Sequence, residues 1–369
     1  MKILVAPDSF KGTLSPLEAA RAIREGLLIT DATLEITLCP LSDGGEGFLE
    51  AVSPALGLSP LPLPSLDVAQ KSLQIEAGVS TASRQLFVES ARIIGFEQLP
   101  EGVSLMERST AGIGHTIAAA RSMLPDHHIF LSLGGSTTMD CGLGAAHALG
   151  CTFLDKEGIP LGPSLKTAHQ IREIRLPPPS LHTPHGHGTV LCDVRTCLTG
   201  PHGAASTFGP QKGASEDEVG SLERIYEYLL PVMARSRGGA PRDLPGYGAA
   251  GGIGAMLSLL FDWPLSFGTP FLWENLHIDA LVAAHDLVIT GEGRFDGQSL
   301  MGKATGALVQ SAQKAHTRLI ILSGLPGKYH APYGDLIPLS SAGNRPPATR
   351  NEAYHLLSDT ASRLAISLL

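Results

Sequence analysis

Short apolar runs of strand length alternate along the chain with longer stretches whose apolar positions recur at helical spacing. Residues 2–7 read as a strand. A helix is expected from Pro16 to Leu28, with Ser15 as its N-cap and Glu18 completing a capping box. Residues 34–41 read as a second strand and 48–56 as a second helix. Residues 54–64 carry Pro54, Pro60, Pro62 and Pro64 with few charges, which reads as a crossing between domains. Short β-rich runs follow at 72–77 and 85–90. The alternation then resumes with a helix at 111–123, a strand at 129–133 and a helix at 139–149 entered through Gly134-Gly135-Ser136-Thr137. Residues 177–184 form a proline-rich loop, 189–194 a strand, 216–235 a long helix and 248–260 a glycine-led one. The last part predicts strands at 286–290, 318–323 and 336–339, with helices from about Met301 and over 350–367.

Repeated strand–helix units favour an α/β fold with mainly parallel sheets covered on both faces by helices. At 369 residues, two α/β domains with a cleft between them are expected. In such sheets ligands bind beyond the carboxyl ends of strands, where most of the polar glycine loops of this chain fall.

Composition narrows the partners. The 43% hydrophobic and 17% charged residues suit a globular enzyme. A net charge of −8 without any Lys/Arg block disfavours nucleic acid and anionic membrane. No apolar stretch reaches the ~18 residues of a membrane span. The first residues read as a strand and not as a signal peptide, so the cytoplasm is expected. Five cysteines without a Cys-x-x-Cys pair indicate buried thiols. A homodimer is compatible with this composition.

Candidate chemistry lies in the loops. Asp8-Ser9-Phe10-Lys11-Gly12 offers a carboxylate, a hydroxyl and an ammonium at a strand end, suited to a small polyol acid or to an ordinary strand-to-helix turn. Asp43-Gly44-Gly45-Glu46-Gly47 pairs two carboxylates with a free backbone, for hydroxyls or magnesium, or as an acidic helix start. Gly134-Gly135-Ser136-Thr137-Thr138 is a candidate phosphate cradle at a helix start, or a close helix–strand packing. Thr290-Gly291-Glu292-Gly293-Arg294-Phe295-Asp296 sets two carboxylates and an arginine after an apolar strand. Phosphoryl transfer needs both signs together, although the pair also suits a structural loop. Residues 297–304 have P-loop spacing but place Ala304 where the magnesium-binding hydroxyl belongs, which leaves Lys303 as a phosphate ligand. Asp193 suits a base or metal ligand, and Lys212 a phosphate counter-charge or a solvated lysine. His182, His185 and His187 lack metal-ligand spacing and read as a solvated loop.

Seven ordered stretches, APDSFKGTLS (6–15), DGGEGF (43–48), GGSTTMDCGLG (134–144), CDV (192–194), FGPQKGA (208–214), GAAGGIGA (248–255) and ITGEGRFDGQSLMGK (289–303), together resemble the type-1 glycerate kinase family. The resemblance implies ATP- and magnesium-dependent phosphorylation of glycerate, commonly to 2-phosphoglycerate. It also implies a flavodoxin-like domain of residues 1–60 plus 285–369, with a second α/β domain, 61–284, inserted. Two departures bear on nucleotide or substrate preference. Met139-Asp140-Cys141-Gly142 stands where the family usually carries Asn-Asp-Gly-Gly, and Thr196-Cys197-Leu198 where it carries Asn-Pro-Leu.

These readings predict a D-glycerate kinase. Asp8, Ser9, Lys11 and Asp43 are expected to bind substrate, and Gly134, Gly135, Ser136, Thr137 and Lys212 the nucleotide phosphates. Asp193, Lys303 and Arg294 are expected in catalysis, and Glu292 and Asp296 at the metal. The alternatives are a kinase of a related hydroxy acid, a dehydrogenase (whose dinucleotide fingerprint the first strand lacks) and a non-catalytic sugar-acid sensor.

Overall fold

The computed structural model describes residues 1–368 apart from Lys11, Asp43, Glu46, 179–183, Gln298, 301–302, 326–330, 340–346 and Ala348. The chain begins with β1 (Lys2–Val5) and the helix Pro16–Thr30. Ser15 Oγ accepts from the Glu18 amide at 3.3 Å while Glu18 Oε2 accepts from the Ser15 amide at 2.9 Å, the expected capping box. β2 (Glu35–Leu38) and the helix Phe48–Leu56 follow. The next stretch holds β3 (Ser59–Leu66), β4 (Ser72–Ser80), β5 (Gln85–Glu89), the helix Ala111–Met123 and β6 (His128–Leu133). Beyond a short helix, Leu143–Ala148, lie β7 (Thr152–Leu154), β8 (Pro160–Leu161), β9 (Glu173–Arg175) and β10 (Gly188–Cys192). The helices Glu216–Arg235 and Ile253–Phe261 precede β11 (Leu265–Phe267). The chain ends through β12 (Leu287–Glu292), the helix Ala304–Ala315, β13 (Arg318–Ser323), β14 (Asp335–Pro338) and the helix Arg350–Leu368.

Two compact units result, one of residues 1–43, 47–57 and 269–369, the other of 44–46 and 58–268. The first is built on a parallel five-stranded sheet in the order β14-β13-β12-β1-β2. Numbered within this unit the order is 5-4-3-1-2, the winding of flavodoxin-like sheets. Its central strands β1, β12 and β13 are buried along nearly their whole length because helices cover the sheet. Ile3, Val5, Ile289, Ile320 and Leu322 pack with Ile23 and Leu27 of the first helix and Leu357 of the last.

The second unit carries a six-stranded sheet in the order β11-β10-β6-β5-β4-β3. β5, β6, β10 and β11 are parallel, and β3 and β4 join antiparallel at one edge. Its core gathers Val88, Leu131, Val190, Leu257 and the fully buried Trp263, whose indole N–H donates to Pro184 O at 2.6 Å. A small antiparallel sheet, β8-β7-β9, stands beside it.

Local structure departs from the sequence pattern at three places. The proline run, within which the chain leaves the first unit at Gly57, also forms the edge strand β3. Pro60, Pro62 and Pro64 sit opposite Gly78, Glu76 and Gln74 and are exposed, while Leu63 and Ser65 point inward. Prolines at every second position occupy the places of an edge strand whose N–H would face away from the partner. The helix expected from Met139 begins only at Leu143, because Asp140 turns the chain first. The strands β7, β8, β9 and β11 are two or three residues long and leave no alternation to read.

The first and last helices pack closely at Gly26, where a Cβ would lie 2.0 Å from Ser358 O. Backbone there cannot yield by changing rotamer. Gly26→Ala would gain up to ~1 kcal/mol of helix propensity against an overpacking cost of about 1–3 kcal/mol. The variant is expected to unfold at lower urea concentration than the wild type; an unchanged or raised midpoint would contradict this packing.

Candidate active site

In the first unit the winding reverses between β1 and β12, so these neighbours end at a place that no crossover connection covers. Their loops are joined by backbone: the Asp8 amide donates to Gly291 O at 2.8 Å and the Gly293 amide to Ser9 O at 3.4 Å. Asp8 Oδ1 accepts from the Ser9 amide at 2.6 Å, which fixes the start of the loop. Beyond β12, Phe295 is fully buried and its amide donates to Ser323 Oγ at 3.2 Å. Ser299 Oγ accepts from the Asp296 amide at 3.0 Å, closing the turn. Arg294 Nε, on an exposed side chain, lies 3.3 Å from Oδ2 of the half-buried Asp296.

Glu292, the last residue of β12, is buried, and its Oε1 has no hydrogen-bond partner. Burial pushes its carboxyl above the usual range, opposed by the Ser299 hydroxyl, the Lys303 ammonium and the Thr305 hydroxyl. These groups favour the charged form by proximity, but none makes a well-aligned bond to Oε1, and Thr305 Oγ1 is itself unbonded. A buried carboxylate with one unpaired oxygen suits a cation. Magnesium is held by one or two carboxylates together with substrate phosphates and water. Glu292 and Asp296 fit that set, and among the described residues no group of three His, Cys, Asp or Glu does so.

In the second unit the candidate residues lie at the carboxyl ends of β5, β6 and β10. The Gly134 amide donates to Ser90 Oγ at 3.3 Å, and the Thr137 amide and hydroxyl donate to Ile94 O at 2.8 and 2.9 Å. Asp140 is buried and accepts from the Thr110 amide at 2.8 Å, the Thr110 hydroxyl at 2.9 Å, the Gly142 amide at 3.1 Å and the Gly144 amide at 3.2 Å. Burial pushes its carboxyl up, and these bonds pull it back. Cys141 beside it takes a left-handed φ of 56°, at the position where the resemblance leads one to expect glycine. Met139 fills the core.

Lys212 is not a solvated lysine. It is buried, with Nζ 3.0 Å from both Ser136 Oγ and Thr138 O. Burial and the neighbouring Arg108 push its ammonium down to about 7, against the pull of Asp140. Asp193 follows the register pair Cys192↔Leu133, so it leaves β10 alongside Gly134, and it is exposed.

The structure thus gathers Asp8, Ser9, Glu292, Arg294, Asp296 and Lys303 in one unit, and Gly134, Gly135, Ser136, Thr137, Lys212 and Asp193 near the carboxyl ends of the neighbouring strands β6 and β10 in the other. Lys11, Asp43 and His182 lie outside the described residues. One expectation about the glycine loop is corrected. It does not open a helix, so a phosphate there would meet the loop and Lys212 and not a helix dipole. Arg108 and Ser323 carried no sequence signal because distant partners give them their roles, whereas Ser299 lies within the stretch 289–303 and bonds the Asp296 amide three residues away. Asp140 could have been found as the acid inside a glycine-rich stretch.

Lys212 makes stability depend on pH. Its folded value of about 7 lies below the ordinary 10.5, so between these the unfolded chain holds a proton that the folded chain has shed. The contribution of Lys212 to stability is therefore lowest below pH 7 and rises through that window. Urea unfolding of wild type and Lys212→Met is expected to show a difference that shifts in favour of the wild type as pH climbs from neutral. A difference flat with pH would mean that the lysine is charged and solvated.

The model of the glycerate kinase family matches residues 3–367. A glycerate kinase of Bacillus cereus is 30% identical over 367 residues, covering 99% of this chain and 96% of that protein. The glycerate 2-kinase of Escherichia coli K12 is 33% identical over 328 residues, 88% of this chain and 85% of its own. A crystal structure from Salmonella typhimurium LT2, described as a candidate glycerate kinase 2, superposes with a TM-score of 0.82 at 31% identity. It covers 100% of this chain and 98% of that one. The chain belongs to the glycerate kinase family and is a phosphotransferase.

Proposed function

We propose that this kinase transfers the γ-phosphoryl group of ATP to the 2-hydroxyl of D-glycerate, giving 2-phosphoglycerate and ADP, with magnesium as its metal. The observation that carries the reading is the buried Glu292, with its unpaired oxygen, in one loop system with Asp296, Arg294 and Lys303 where the winding of the sheet reverses. Opposite charges held together at a strand end are what transfer of a highly charged group requires. A relative named glycerate 2-kinase supports the 2-position. The absence of a membrane-spanning helix among the described residues is compatible with a cytoplasmic enzyme.

Asp8 and Ser9, with Lys11 and Asp43, hold the hydroxyls and carboxylate of glycerate. The loop Gly134 to Thr137 receives nucleotide phosphates with the Lys212 ammonium, through donors other than the Gly134 and Thr137 amides, which bond Ser90 Oγ and Ile94 O. Asp193 takes the proton from the attacking hydroxyl. Arg294 and Lys303 stabilise charge on the phosphoryl oxygens as the bond to ADP lengthens. Glu292 and Asp296 would hold magnesium, which when bound neutralises phosphate charge.

Incubation with ATP and D-glycerate is expected to release ADP only when magnesium is supplied, and phosphorus NMR to show 2-phosphoglycerate. ADP release without glycerate dependence, or glycerate binding without turnover, would refute the proposal. Glu292→Gln and Asp193→Asn are each expected to lower kcat by about 10²–10³. Full activity of both Asp193→Asn and Asp296→Asn would remove those two residues from the mechanism.

A further inference from the structure

Arg108 lies outside every motif picked out in the sequence, yet its guanidinium joins three stretches of backbone. Nη1 donates to Thr137 O and to Lys212 O, each at 3.0 Å, while Nε and Nη2 donate to Val103 O at 3.3 Å. Thr137 belongs to the glycine-rich loop, and Lys212 ends the helical turn Pro210–Lys212. The Lys212 ammonium returns to Ser136 Oγ and Thr138 O, so the two segments are tied twice. One tie runs through side chain to loop, the other through the arginine to both backbones. A planar fork reaches carbonyls spread across its width, whereas the three donors of an ammonium radiate from one atom.

We propose that Arg108 is a positioning residue of the kinase, setting the spacing between the glycine-rich loop and Lys212 at which both meet nucleotide phosphates. The inference rests on the assignment of that loop to the nucleotide. Four of the five N–H donors of Arg108 are engaged with carbonyls, so it holds the loop and is not assigned to a phosphate. Its charge has a second effect. The groups that face the Lys212 ammonium are Arg108, Asp140 and the Phe208 ring at 5.9 Å. Of these, Arg108 holds the ammonium down and Asp140 holds it up. Phosphate prefers the charged ammonium, so ADP binding weakens as pH rises through the lysine's value. Without Arg108 that fall moves to higher pH. Burial is the larger cause of the low value, so a loosened loop that hydrates the ammonium moves the fall the same way, and the refilling of the vacated space by a guanidinium separates the two.

A route for rescue exists. Arg108 lines a cavity of about 190 Å³ with Ser109, Asp140, Ser164 and Lys166. A small guanidinium compound has room there when the side chain is removed.

The test is calorimetric ADP binding by the full chain between about pH 6 and pH 9, spanning the Lys212 transition. Arg108→Met is expected to bind ADP about tenfold more weakly, as expected for lost charge-assisted bonds, with the pH midpoint moved upward. Arg108→Lys should keep the midpoint near that of the wild type while recovering only part of the affinity. Methylguanidine should restore binding to Arg108→Ala and leave wild type unchanged. If Lys212→Met binds ADP like the wild type, the loop is not the nucleotide site and the underlying assignment fails. If Lys212→Met is impaired but Arg108→Met keeps wild-type affinity, or loses affinity with an unmoved midpoint, the role of Arg108 is overturned. Should Arg108→Met fail to fold, Arg108→Lys decides: full wild-type affinity in that variant overturns the proposal.

Discussion

A parallel sheet wound outward in both directions from one strand leaves two neighbouring carboxyl ends uncovered, because each crossover connection runs away from the other. In the first unit these ends belong to β1 and β12. The chain fastens them with two backbone bonds, Asp8 to Gly291 and Gly293 to Ser9. Charged side chains on the loops are then fixed by structure beneath them. Phe295 is buried, Ser323 receives its amide, and Ser299 closes the turn that carries Asp296. Glu292 therefore stays where an unpaired carboxylate oxygen would otherwise relax toward a donor.

The second unit solves a related problem by burying charge. A carboxylate removed from water costs several kcal/mol unless its oxygens are met. Asp140 is met by two groups of Thr110 and by the amides of Gly142 and Gly144. This locks the glycine-rich segment to the head of the helix Ala111–Met123 and delays the next helix to Leu143. Cys141, with its positive φ, shows that the turn is imposed by the bonds of Asp140 and not by local preference.

What could be read from the chain follows the range of the forces involved. The helix at Pro16 was legible because its cap and first turn lie within four residues. The strands β5, β6, β12 and β13 were legible as apolar runs, and the loops after them as polar punctuation. The helix after Gly134 was misjudged because Met139, Leu143 and Ala146 have helical spacing, although only the last two belong to the helix. Met139 is buried in the core instead. Lys212 was legible as a cation beside glycines but not as a buried one. Its burial depends on Ser136 and Thr138, more than seventy positions away. Arg108 had no local signature, since its partners are carbonyls that every residue possesses.

The proline strand has a consequence for the molecule among other molecules. An exposed edge usually presents alternating donors and acceptors, a template on which another strand can align. On β3 the outward amides are replaced at Pro60, Pro62 and Pro64 by ring nitrogens without hydrogen. A foreign strand arriving there would find carbonyls to donate to and nothing to accept from, so half of each pair would go unmade. The last strand of this sheet is chemically sealed, and growth of a shared sheet between copies, the first step toward fibrous aggregation, is blocked at that border by three imino acids.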